Sequence, residues 1–123
     1  MYSDESVKHF TAAERTLKKF NIYGEIPRVL DEEWTDELLR SDAMRIERIV
    51  SRGHRSPDDF WYEQSENEWV LVIAGRARLL FEGESSETEL EVGDCLTIPA
   101  RARHKVTWTS PEQDTIWVAI FYS

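Results

Sequence analysis

Glu68 begins an apolar run, Glu68-Trp69-Val70-Leu71-Val72-Ile73-Ala74, and on a strand it shares one face with Val70 and Val72. A carboxylate placed among valines is costly unless a cation, a hydrogen-bond partner or a proton accompanies it. His104 has a similar setting, because strand alternation puts it on one face with Val106 and Trp108. Tyr62 and Gln64 are two residues apart and point the same way on an extended chain. A carboxyl and a phenol in such surroundings are groups that can move a proton, and an imidazole is a neutral donor for a cation. Cys95 is the only cysteine, so an internal disulfide and a thiolate zinc finger are both ruled out. Its place between Asp94 and Leu96 predicts a buried, inert thiol. His54 follows Gly53 in a turn-like stretch ending at Pro57, and is expected to be a solvated loop residue unless the loop reaches inward. His9 is expected to have no part in the chemistry. Arg76, Arg78, Arg101 and Arg103 could orient an acidic substrate, but with 24 acidic residues in the chain internal ion pairs are their expected use.

The elements that must position these residues change character midway. Residues 1–42 read as helical and irregular. Thr11-Ala-Ala-Glu14 fits a capping box ahead of a short basic stretch from Arg15 to Phe20. Asp31 to Arg40 carries acids at its start and Arg40 at its end, as a helix dipole favours, with Trp34, Leu38 and Leu39 as its apolar stripe. From Ala43 the period becomes two. Met44 to Val50, Glu68 to Ala74, Arg76 to Phe81, Thr88 to Val92, Cys95 to Ile98, His104 to Thr109 and Thr115 to Tyr122 read as strands punctuated by Gly and Pro. That pattern predicts an all-β sandwich or barrel over 43–123 behind a short helical N-terminal extension. Trp69, Leu71 and Ile73 form a second apolar stripe opposite Glu68, which needs a cover from the N-terminal segments or from a second subunit. A homodimer is the expected assembly.

Composition removes other classes. The chain has 123 residues, enough for one domain with its own core. Its net charge of −9 opposes a nucleic-acid backbone and an anionic bilayer, so neither is an expected partner. No apolar run approaches the ~18 residues of a membrane span. Met1 to Phe10 carry acids and no apolar core, so no secretory signal is expected and the cytoplasm is the default compartment. Five Trp among 14 aromatic residues supply more apolar ring surface than a disordered chain carries.

Over roughly residues 43–122 the chain resembles the cupin superfamily, small jelly-roll barrels. Gly93, Pro99 and His104 stand at the spacing of the second cupin motif, and Glu68 and Gly75 at that of the first motif's end. The departures are specific. Tyr62-Glu63-Gln64 stands where the family has His-x-His, Arg101 where it has a Gly, Trp108 where it has an Asn, and Ser56 where the first motif opens with Gly. The resemblance implies a jelly-roll barrel with Gln64, Glu68 and His104 converging inside it. It also implies that these three could ligate a divalent transition metal (Fe, Mn, Ni or Zn). Gln64 would then be a weaker ligand than the histidine it replaces. Glu68 or Tyr62 would move a proton, and Tyr62 and Trp108 would line a pocket for a small molecule. The function so implied is oxygenase- or isomerase-like. The alternative is a non-catalytic barrel that binds a small molecule beside a degenerate metal site.

Overall fold

The computed structural model describes residues 11–123. Two antiparallel sheets face each other. One has five strands in the order β1 (Trp34–Arg40), β2 (Met44–Ser51), β8 (Thr115–Tyr122), β3 (Asn67–Ala74), β6 (Cys95–Ile98). The other has three, in the order β5 (Thr88–Leu90), β4 (Ala77–Phe81), β7 (His104–Thr109). This is the all-β fold that the period-two pattern predicts, in the cupin-like arrangement that the resemblance implies. Burial follows the alternation closely: Glu68, Val70 and Val72 are buried, while Trp69, Leu71 and Ile73 between them are half-buried.

The interior is built in rows across the large sheet. Arg45, Phe121, Glu68 and Ile98 are successive cross-strand partners, as are Glu47, Ala119, Val70 and Leu96. Ile49, Trp117 and Val72 form the next row. Ala77, Leu79 and Val106 of the small sheet close over them, and these apolar residues make one contiguous core. Gly75 ends β3 with φ +81°. A side chain there would lie 2.4 Å from Thr115 Oγ1 and 2.5 Å from Thr115 Cα, so only glycine lets this turn press against the start of β8. Thr115 Oγ1 completes the join, donating to the Arg76 carbonyl at 3.0 Å and accepting from the Arg76 N–H at 3.2 Å.

The N-terminal part differs from its helical expectation. The Thr11 hydroxyl does accept the Glu14 N–H, at 3.4 Å, yet the chain makes only a single 3₁₀ turn there, Ala13–Arg15. Asp31–Arg40 is not a helix: from Trp34 onward it is β1, so the sheet begins there rather than near residue 43. The reason lies in partners that a helix could not reach. Asp36 pairs in register with Arg48 of β2, and the two side chains form an ion pair with no solvent exposure. Trp34 Nε1 donates to the same Asp36 at 3.1 Å, a contact between residues two apart that suits a strand. The segment before β1 lies over this outer face. Arg48 donates to the carbonyls of Ile22, Gly24 and Glu25, and its guanidinium carbon sits 4.6 Å from the Phe20 ring centroid. Tyr23 reaches the Ile73 carbonyl through its hydroxyl, at 3.4 Å. His9 lies outside the described residues.

Candidate functional site

Glu68 and His104 come from facing sheets and are both fully buried. Glu68 sits at the inward face of β3 because its register partners Phe121 and Ile98 are themselves core residues. His104 opens β7 opposite Phe81, and the Tyr62 strand segment pairs with it on the other side through two backbone hydrogen bonds of 2.8 and 3.0 Å. His104 Nδ1 lies 2.9 Å from the Ala102 carbonyl. A carbonyl can only accept, so Nδ1 carries the proton and Nε2 presents its lone pair. Nε2 is 3.9 Å from Glu68 Oε1. Gln64 joins from the loop before β3, its amide N–H donating to Glu68 Oε1 at 2.7 Å. Gln64, Glu68 and His104 therefore converge as the resemblance implies.

Burial pushes the Glu68 carboxyl up to about 7, with the charges of Glu47 and Glu33 adding to the effect and the Gln64 hydrogen bond opposing it. A carboxyl in that range exchanges its proton near neutral pH.

Tyr62, the next expected site residue, is half-buried beside His104, ring centroids 6.3 Å apart, with Phe60 edge-on to it at 4.7 Å. Trp108 leaves the interior. The pairing of β4 with β7 shifts between Arg78 and Leu79, so Leu79 faces Val106 while Arg78 faces Trp108. The extra residue, Thr107, reverses the parity of the strand. Trp108 then stacks under the Arg78 guanidinium at 4.5 Å, and Thr109 turns inward in its place. His54 is neither solvated nor at the site. Its Nδ1 accepts the Arg52 N–H at 2.8 Å and its Nε2 donates to the Leu30 carbonyl at 3.1 Å, so it fastens the 27–30 loop. Cys95 is exposed, not buried, because it shares the outer face of edge strand β6 with its partner Leu71. The four arginines make surface ion pairs, Arg76 and Arg78 with Glu89, Arg101 with Glu63 and Arg103 with Glu82.

Sequence reasoning missed the polar half of the interior. Arg45 and Glu47 lie on the inward face of β2 with Ile49, and Arg45 bridges Glu47 at 2.9 Å and Glu66 at 2.6 Å. Glu37 enters from β1 and holds Arg40 at 2.7 Å. The alternation Arg45-x-Glu47-x-Ile49-x-Ser51 was the available signal.

The donor set does not fit a transition-metal centre. Among the described residues no three His, Cys, Asp or Glu side chains are grouped as a metal site would require. Gln64 turns its N–H, not its oxygen, towards Glu68.

A family model described as "Cupin domain" matches residues 48–121. Among solved structures, a Ralstonia eutropha JMP134 protein provisionally named a mannose-6-phosphate isomerase is 36% identical, with a TM-score of 0.83 over 86% of this chain and 98% of that one. A cupin superfamily protein from Desulfitobacterium hafniense DCB-2 is 18% identical, with a TM-score of 0.64 over 79% of this chain and 83% of that one. A DMSP lyase from Ruegeria pomeroyi DSS-3 is 17% identical, with a TM-score of 0.64 over 85% of this chain and 55% of that one. No curated protein matches the chain. No helix among the described residues is long and apolar enough to cross a membrane. With the motif spacings of Glu68, Gly75, Gly93, Pro99 and His104 built into facing sheets, and a family model spanning more than half its length, the chain belongs to the cupin family.

Proposed function

We propose that the barrel takes a small molecule and that Glu68 and His104 act on it as a proton-transfer pair, an isomerase-like chemistry carried by side chains. The observation behind this reading is the Glu68 carboxyl, held near 7 by burial and 3.9 Å from an imidazole whose tautomer is set by the Ala102 carbonyl. The ionised carboxylate would take a proton from a carbon next to a carbonyl and return it to the neighbouring position, while the Nε2 lone pair of His104 would accept the proton of the adjacent hydroxyl and pass it to the former carbonyl oxygen. The atoms balance without an added oxidant. The isomerase name given to the Ralstonia protein agrees with this class of reaction.

The test is solvent exchange by proton NMR in D₂O, with mannose 6-phosphate and glucosamine as probes. Exchange at the carbon beside the carbonyl is expected, and Glu68→Gln should slow it by about 100-fold or more. Equal exchange with wild type and Glu68→Gln would overturn the assignment. The complete burial of Glu68 and His104 favours a second reading, a barrel that binds without turnover. Binding of a probe without any exchange would select it.

The same reading includes a homodimer. The half-buried Trp69, Leu71 and Ile73 support it; among the described residues Tyr23 reaches that stripe at its Ile73 end. Sedimentation should give twice the 14.5 kDa chain mass at micromolar concentration, and a stable monomer there would contradict the dimer.

A further inference from the structure

His54 stands apart from the Glu68–His104 site and bonds three stretches of chain together. Its backbone is fixed to the link between β7 and β8: the Thr109 hydroxyl donates to the His54 carbonyl at 2.6 Å, and the Gly53 N–H donates to the Ser110 carbonyl at 3.1 Å. Its ring joins the end of β2 to the 27–30 strap, Nδ1 accepting the Arg52 N–H at 2.8 Å and Nε2 donating to the Leu30 carbonyl at 3.1 Å. The Arg52 side chain holds the other end of the strap. Its Nη1 donates to the Arg28 carbonyl at 2.8 Å and its Nη2 to the Pro27 carbonyl at 3.4 Å, while Asp114 holds the guanidinium at 2.6 Å. The strap itself is irregular, and Val29 on it is 73% exposed. Val29 and Leu30 make one wall of a cleft of about 340 Å³, which Asp31, Glu32 and Trp34 complete.

The two ring bonds admit one protonation state. A backbone N–H only donates, so Nδ1 keeps its lone pair, and a carbonyl only accepts, so Nε2 carries the proton. An imidazolium has a proton on both nitrogens, so its Nδ1–H would face the Arg52 N–H, donor against donor. A planar ring cannot turn away from Arg52 and keep Nε2 on Leu30. Residues 53 and 54 are fixed through Ser110 and Thr109, so the ring has to move rather than the chain that carries it. Histidine is the side chain that ordinarily changes charge between pH ~5 and ~8. Among the described residues, the charged groups on the elements packed here are Arg28 on the strap, Asp31, Glu32 and Glu33 after it, Arg52 at the end of β2, Arg55 and Asp58 on the loop of His54 itself, and Glu112 and Asp114 before β8. Arg52 pairs with Asp114 and Arg55 with Asp58, so the Pro27–Arg28 end of the strap is held by an ion pair that does not involve the ring.

We infer that His54 is an acid-released latch: neutral, it fastens the Leu30 end of the strap, and on gaining a proton it lets that end go while Arg52 keeps the Pro27–Arg28 end. The cleft wall made by Val29 and Leu30 opens with it. The latch stands at the end of the barrel where Ser51 pairs with Thr115, away from the Arg45, Phe121 and Glu68 row, and does not depend on the chemistry proposed for Glu68.

Proton–nitrogen NMR of the untagged full chain tests it. At pH ~7.5 the His54 ring should carry its proton on Nε2, opposite to His104 with its proton on Nδ1, so the two rings are told apart. Between pH ~7.5 and ~5.5 the His54 ring should gain its second proton. The backbone order parameter of Leu30 should fall in step with it, from about 0.85 to below about 0.6, while Arg28 changes much less. His54→Gln cannot take up a charge, and His54→Asn keeps the acceptor for Arg52 but is too short to reach Leu30. In each variant Leu30 should show the same order at both pH values. The Glu33 and Glu68 carboxyls also titrate near neutral pH. A fall at Leu30 that persists in either variant would therefore assign the switch to those carboxyls and overturn the role of His54. A His54 ring that stays neutral down to pH ~5, or a Leu30 that stays ordered once the ring is charged, would overturn the latch itself.

Discussion

Arg48→Met is expected to destabilise the protein by about 3–5 kcal/mol, because it strands the Asp36 carboxylate where neither partner has any solvent exposure. The guanidinium does more than neutralise Asp36. It also donates to the carbonyls of Ile22 and Glu25, each at 3.2 Å, and to that of Gly24. Losing it should loosen the 20–25 segment from the outer face of β2 as well as weaken the sheet. Urea denaturation measures the first effect, and limited proteolysis in that segment measures the second. The double variant Arg48→Met with Asp36→Leu should recover a large part of the loss, since a buried ion pair replaced by apolar residues of similar size is often close to neutral. A single-variant cost below about 1 kcal/mol would mean that water reaches Asp36 and relieves it.

Glu68 should make stability fall as pH rises. Its carboxyl stands at about 7 in the folded protein, against an ordinary 4.5 once the chain unfolds. Between those values the folded state holds a proton that the unfolded state has lost, so folding binds protons and an increase in pH opposes it. The contribution is fully present below about 4.5 and is lost as pH passes through about 7. Its size is on the order of 3 kcal/mol, since each tenfold change in acidity is worth about 1.4 kcal/mol. Glu33, also at about 7, acts in the same direction. Glu68→Gln removes the titration and keeps the shape. Its stability relative to wild type should therefore rise by about 2–3 kcal/mol from pH ~4.5 to pH ~8 in denaturant titrations. A difference that stays constant across that range would show that Glu68 is ionised throughout and compensated in place.

What can be read from the residues depends on whether each strand has one plainly apolar face. β3, β4 and β8 do, and their limits and inward residues are legible from alternation alone. β1 is not. Its acids resemble a helix's first turn, and the partners that make them a strand, Arg48 in particular, lie on another strand. Trp108 is displaced by one residue of irregularity, since the shift beside Thr107 has no composition signal to mark it. Gln64, Glu68 and His104 are legible together because family spacing fixes them regardless of such detail. Arg45, Glu47 and Glu33 escape because charged residues are expected to face outward, whereas here Arg45 and Glu47 pair with each other inside the barrel and Glu33 accepts from Ser51.

β8 lies at the centre of the large sheet, bonded to β2 on one side and β3 on the other. Met44 pairs with Tyr122, so the sheet closes a loop of most of the chain before it gains that ladder. Such long closures slow folding, and they place this barrel among the slower single domains, in the range of milliseconds to seconds. During synthesis neither β2 nor β3 can find its central neighbour until residues 115–122 have left the ribosome. Until then both present bare edges with apolar faces, the condition under which strands pair with the wrong chain. The chain's net charge of −9 then has a second use, as like charge that keeps two unfinished copies apart while the chain waits for its central strand.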